Sequence, residues 1–424
     1  MASRPPRPPR VGRRVLALQP AVCALALALA LCPTPAPGAP LSDATPAASA
    51  SAGGSVRLPV IPGSLEPGAP CTRTSPTTMN VTPWTHDVLD LSGAWTFSRG
   101  DGVTVAVVDT GVAPGTRSLS GRVTADGTAA DDCVGHGSFV AGLIAGASGT
   151  GTGADFGGVA PQARVLALRG TDRSGRPSAA LTVAAIRAAA DARAQVIAVP
   201  LALPSGSAEL TSAVRYANAH GCLVVAAAVP DTVAAPGGVT ASASAAAARP
   251  RTYWPAADTD VLAVSDFGPD GSRPDGAPEP ERADLAAPGD KVVGTGPRGS
   301  GHFTGSGASF ATAYVAGAAA LVRSREPGLS AEQTKRRLIS TAYPADVPRL
   351  DVYAALTSVP HGGGGGPLAA APPPVVLPVD NGRGARRIAG LVAIAGVLSV
   401  VAAAATRGAV RGRRRRSTPE APAD

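Results

Sequence analysis

Hydrophobic residues gather in short, near-continuous runs through the middle of the chain, at Val103 to Val108, Val165 to Leu168, Val196 to Leu201, Leu223 to Ala228 and Val261 to Val264. Unbroken runs of this length predict strands buried on both faces, because a strand with one wet face would alternate polar and apolar positions. Between them the pattern turns helical, at Ala179 to Ala192 and Ser207 to Ala219, and helices are also predicted at His136 to Ala147, Ser309 to Ser324 and Ser330 to Thr341. The last opens with a capping signature, Ser330 followed by Glu332 and Gln333, which satisfies N–H groups that a first helical turn leaves unpaired. Strands that alternate with helices predict an α/β domain with a mostly parallel central sheet.

Both ends depart from this pattern. Arg4, Arg7, Arg10, Arg13 and Arg14 precede an apolar run from Val15 to Cys32 and a Pro/Ala-rich patch from Thr34 to Pro40, an arrangement that reads as a secretory signal peptide, with an uncleaved anchor helix as the alternative. Near the other end, Ile388 to Ala405 is an uncharged run of 18 residues, close to the roughly 20 that cross the hydrocarbon of a bilayer. Arg386, Arg387 and Arg407 flank it and can snorkel. A buried core helix is the alternative, but the cluster Arg413 to Arg416 that follows fits a cytoplasmic tail, which places the rest outside the cell. The stretch from Leu41 to Pro70, rich in Ala, Ser, Gly and Pro, predicts disorder. Gly362 to Gly366 and Pro372 to Pro374 read as a tether. The expected layout is a signal peptide (1–40), an N-terminal extension (41–82), a globular domain (83–358), a linker (359–385), a transmembrane helix (386–407) and a basic tail (408–424).

The formal net charge of +8 belongs to the ends. Without residues 1–40 and 381–424, 24 basic residues face 28 acidic ones. A folded part that is slightly acidic argues against nucleic-acid binding. Of five cysteines, Cys71, Cys133 and Cys222 lie beyond the export segment, where a disulfide is chemically permitted.

Three segments carry candidate chemistry. The first predicted strand runs into Asp109-Thr110-Gly111, which puts a carboxylate at the strand end where parallel sheets hold their ligands. His136 lies between Gly135 and Gly137 at the head of a helical pattern, where neighbouring glycines let other groups come close. Ser309 opens an Ala-rich helix, where free backbone N–H groups and the helix dipole favour an anion. Read singly, each has a plainer structural meaning: a turn carboxylate, an idle turn histidine, an N-cap serine.

Taken together, in the order Asp, His, Ser, the segments resemble the subtilisin-like serine proteases, with Asp-Thr-Gly at Asp109, His-Gly at His136 and Ala-Ser-Phe-Ala around Ser309. The resemblance spans about Gly100 to Leu356 and implies a three-layer fold, peptide or protein substrates, no metal and no organic cofactor. It implies that Ser309 is the nucleophile, His136 the general base and Asp109 the group orienting the imidazole. A narrower resemblance, to the mycosins of type VII secretion, rests on Pro83-Trp84, Arg99-Gly-Asp-Gly102-Val103, Asp132-Cys133 ahead of His-Gly, and the Pro-rich linker before an apolar segment. It implies a Cys71–Cys133 disulfide, which leaves Cys222 as a small hydrophobe, and association with a secretion membrane complex.

Two departures bear on activity. Where the family has Gly-Asn after the fourth run, supplying an oxyanion donor beside the Ser309 N–H, this chain has Val229-Pro230, and Asp231 beyond it is an anion. Where the family has Ile-Asn-x-Ser-Leu-Gly-Gly along the cleft, this chain has Ala202-Leu203, side chains that would crowd an extended peptide. Ala308 and Ala313 replace a usual Thr and Pro, which are milder changes. The sequence therefore supports an endopeptidase, with a catalytically impaired structural component as the alternative.

Overall fold

The structure, a computed structural model, describes residues 57–148, 157–231, 250–358 and 393. The predicted signal peptide and nearly all of the linker, transmembrane helix and tail lie outside these. Among the described residues, no helix is long and apolar enough to cross a membrane.

Seven strands build the sheet: β1 (Thr104–Asp109), β2 (Val123–Ala125), β3 (Arg164–Arg169), β4 (Val196–Val199), β5 (Leu223–Ala227), β6 (Leu262–Phe267) and β7 (Leu285–Pro288). They lie in the order β2-β3-β1-β4-β5-β6-β7, and every pairing is parallel. An antiparallel pair, β8 (Val292–Thr295) and β9 (His302–Gly305), follows. Strand alternation assigns each face its own core. Val105 and Val107 of β1 point toward α3 (His136–Ala145) and α6 (Ala308–Arg325), while Ala106 and Val108 point toward α4 (Ala179–Asp191) and α5 (Ala208–Ala219). Because both faces are covered, these strands read as unbroken apolar runs, and each fully buried Val or Leu contributes about 1.5–3 kcal/mol.

Helix α6 runs through the middle and is buried from Ala308 to Val322. Its Ala/Gly composition is what allows this: a Cβ on Gly317 would come within 2.6 Å of the Val159 side chain. The predicted cap of α7 (Ala331–Ser340) is present, with Ser330 and Gln333 each bonding the other's backbone N–H.

The composition predicted disorder as far as Pro70, yet from residue 58 the extension lies along the domain. Ile61 donates to the Thr304 carbonyl, Thr304 to Pro59, Leu65 to Ser174, Thr72 to Cys133 and His302 to Thr77. Ile61 is buried, and Cys71 and Cys133 form a disulfide across 62 residues. Cys222 is free and buried. α1 (Trp84–Val88), α2 (Leu91–Ala94) and α8 (Val352–Thr357) are short helices.

Candidate active site

β1, which lies between β3 and β4, ends at Asp109, so its carboxylate emerges at the C-terminal edge from a buried base. The N-terminus of α3 comes directly against that edge. A Cβ on Gly137 would sit 2.1 Å from the Gly111 carbonyl oxygen and 3.1 Å from the Asp109 Cβ, so only glycine after the histidine lets the two elements meet.

His136 Nδ1 lies 2.8 Å from Asp109 Oδ2 and 3.0 Å from Oδ1. A carboxylate only accepts, so Nδ1 carries the hydrogen and Nε2 faces away. Nε2 is 3.1 Å from the Ser309 hydroxyl, on the first turn of α6. The imidazole is held from the side by Phe310, with ring centroids 5.2 Å apart. Asp109, His136 and Ser309 are all buried. Burial alone would lower the His136 pKa, but the charge of Asp109, the hydrogen bond to it, and Asp231 outweigh that penalty and hold it well above the ordinary imidazole value.

Behind His136 stands Asp132, which sequence reasoning used only as part of a motif. It accepts from Gly135 N–H at 2.7 Å, Ser138 N–H at 2.9 Å, Ser138 Oγ–H at 2.7 Å and Thr110 Oγ–H at 2.9 Å. Thr110 in turn accepts from Gly137 N–H. Burial pushes the Asp132 carboxyl up, and these bonds pull against it.

Val229-Pro230 leads to the feature that sequence reasoning missed. Asp231 turns its carboxylate onto Ser309: Oδ1 accepts from the Ser309 backbone N–H at 3.0 Å and Oδ2 from Oγ–H at 2.6 Å. The same Oδ2 is 3.4 Å from His136 Nε2. A Cβ on Gly307 would lie 1.9 Å from Oδ1, so this approach needs glycine there. The only sequence signal was an acid placed one residue beyond the missing amide. Leu203, expected to crowd the cleft, is instead buried in the core, and it exchanges both backbone hydrogen bonds with Trp254. Among the described residues, no three His, Cys, Asp or Glu side chains gather as a metal would require.

The sequence profile of the subtilase family matches residues 100–368. The chain belongs to the subtilase family. Mycosin-3 of Mycobacterium tuberculosis is 33% identical to this subtilase over 360 residues, covering 70% of the chain and 74% of the relative. Among solved structures, the MycP3 protease from the type VII (ESX-3) secretion system is 30% identical, with a TM-score of 0.56 over 71% of this chain and 97% of that one. A chain of the periplasmic assembly from the ESX-5 inner membrane complex is 27% identical, with a TM-score of 0.60 over 76% and 99%. This subtilase is thus of the mycosin type, within a family of serine endopeptidases.

Proposed function

We propose that the chain is a membrane-anchored endopeptidase, acting outside the cell on protein or peptide substrates through Asp109, His136 and Ser309, and working with a type VII secretion membrane complex. The reading rests above all on His136, whose two ring nitrogens lie 2.8 Å from Asp109 and 3.1 Å from Ser309. In the proposed reaction Ser309 Oγ attacks the peptide carbonyl while its proton passes to a neutral Nε2. Asp109 fixes the tautomer and stabilises the imidazolium. The Ser309 backbone N–H donates to the oxyanion, and His136 returns the proton to the departing amine. Water then repeats the sequence and frees the acyl group.

The secretion and membrane parts rest on the similarity to the MycP3 protease of a type VII secretion system and to a chain of the ESX-5 inner membrane complex, and on the sequence layout: export segment 1–40, extension 41–82, peptidase domain 83–358, linker 359–385, single span 386–407 and cytoplasmic tail 408–424. A second reading, a structural component that no longer cleaves, is favoured by the contact of Asp231 with Ser309 and by the absence of a side-chain donor at Pro230. Loss of one oxyanion donor costs about 100- to 1,000-fold in turnover.

A fluorophosphonate probe applied to the full-length chain tests the first reading. Labelling that disappears in Ser309→Ala supports it. A wild-type chain that takes no label, even over long exposure and at alkaline pH, favours the second.

A further inference from the structure

Ser309 Oγ carries one hydrogen and lies between Asp231 Oδ2 and His136 Nε2. Asp231 Oδ2 at 2.6 Å is closer than His136 Nε2 at 3.1 Å, and a carboxylate oxygen makes the stronger acceptor. The proton therefore points at Asp231. Carboxylates flank His136 on both sides, Asp109 Oδ2 at 2.8 Å from Nδ1 and Asp231 Oδ2 at 3.4 Å from Nε2, and they hold its pKa well above the ordinary imidazole value, which favours the charged ring, whose Nε2–H donates toward Oγ. Every hydrogen in the chain Asp109, His136, Ser309, Asp231 then has a place, and none is poised for attack. A hydroxyl cannot pass its proton to a nitrogen that already holds one.

The second obstruction is spatial. An oxyanion formed on a carbonyl beside Ser309 would accept from the Ser309 backbone N–H, and Asp231 Oδ1 already accepts from that group at 3.0 Å. Two anionic oxygens cannot share one donor at hydrogen-bond distance, because like charges that close oppose each other. Asp231 is nevertheless not locked in: its side chain keeps 24% of its exposure, which leaves a path toward solvent. The charge is also felt at Asp266 on β6, whose carboxyl burial pushes up, with Arg273 opposing and Asp231 adding to the rise. Among the described residues, Asp266, His136 and Ser309 are polar groups that interact with the Asp231 carboxylate.

We propose that Asp231 is a built-in cap on the nucleophile: its carboxylate occupies the oxyanion position and holds the Ser309 proton, so that acylation requires the carboxylate to leave. The inference rests on Ser309 being the nucleophile. Removing one charge would convert the obstruction into a donor. Asparagine at this position has the same shape, and its NH₂ would donate to the oxyanion where the carboxylate repels it.

The test compares wild type, Asp231→Asn and Asp231→Ala in the full-length chain, with Ser309→Ala as control. The readouts are the second-order rate of fluorophosphonate labelling and kcat/KM for a chromogenic peptide ester across pH. Both substitutions should raise labelling and turnover at pH 7, Asn more than Ala, with a gain for Asn on the order of 100-fold, matching one oxyanion donor. The acid limb of the pH profile should move to lower pH in both, because one of the two carboxylates facing His136 is gone. If wild type labels at Ser309 but neither substitution speeds labelling or moves the limb, the cap is wrong and the nucleophile stands. If no variant takes label at Ser309, the nucleophile assignment falls, and the cap with it.

Discussion

The Asp132 carboxylate accepts from both donors of Ser138, backbone N–H at 2.9 Å and Oγ–H at 2.7 Å, and so clamps the first turn of the helix that begins at His136. With Gly135 N–H and Thr110 Oγ–H it satisfies four buried donors at once. Removing it leaves those donors without partners, at about 1–3 kcal/mol for each that water cannot reach. Asp132→Ala is expected to lower unfolding stability by about 3–5 kcal/mol. Ser138→Ala, which removes one hydroxyl, should cost about 1–2 kcal/mol. Denaturant unfolding of the two variants checks both values, and an Asp132→Ala chain as stable as wild type would show that the clamp is dispensable.

Much of this organisation was legible in the sequence, and what was not has physical reasons. The strands β1, β3, β4, β5 and β6 were readable because burial on both faces leaves continuous apolar runs. Strand β2, with three residues and a partly exposed pattern, carries no such signal. The extension from residue 58 was unreadable for another reason: backbone hydrogen bonds to Thr304, Ser174 and Cys133 hold it, and composition does not encode these. At the site, Asp109, His136 and Ser309 each stand at the end of an element, with glycines close by, and so announce themselves. Asp231 does not, because its reach to Ser309 depends on a bend of the backbone at Ala228 and Val229 and on a missing Cβ at Gly307.

The disulfide joins the extension to the loop that delivers His136. Thr72 donates its backbone N–H to the Cys133 carbonyl and its hydroxyl to the Val134 carbonyl, so the bridge and two hydrogen bonds act on one short stretch. Closing a loop of 62 residues is worth about 4 kcal/mol by chain entropy. The double substitution Cys71→Ser/Cys133→Ser is therefore expected to lose about 2–5 kcal/mol of unfolding stability. Thermal melts with and without reductant should show the same loss in the wild-type chain, while the double variant should be indifferent to reductant.

Cys222 gives a probe of the opposite face. It is fully buried just before β5, and burial chiefly, against a smaller opposing effect of Arg323, pushes its thiol up to about 11. At pH 8 the thiolate is then about one part in a thousand, and the sulfur is sealed from solvent. Iodoacetamide should leave Cys222 unmodified in the native chain and alkylate it as denaturant unfolds the domain, with the two transitions coincident. Rapid native alkylation, read by peptide mass, would mean that the start of β5 opens locally.

The two charges beside His136 separate its tautomer from its titration. A general base must be neutral, and the His136 pKa lies well above the ordinary value because Asp109 and Asp231 outweigh its burial. Hydrolysis should therefore rise with pH through a midpoint above about 6.5. Stability carries the opposite sign: the ion pairs that favour the imidazolium stabilise the folded chain below the unfolded pKa, and that contribution is lost as pH rises through the folded one. Asp109→Asn removes the nearer charge, so the midpoint should fall while kcat drops by about 10⁴, because the amide no longer demands a hydrogen on Nδ1. Measuring kcat/KM against pH for both chains checks the pair of effects. A lower rate with an unmoved midpoint would mean that Asp109 positions His136 without charging it.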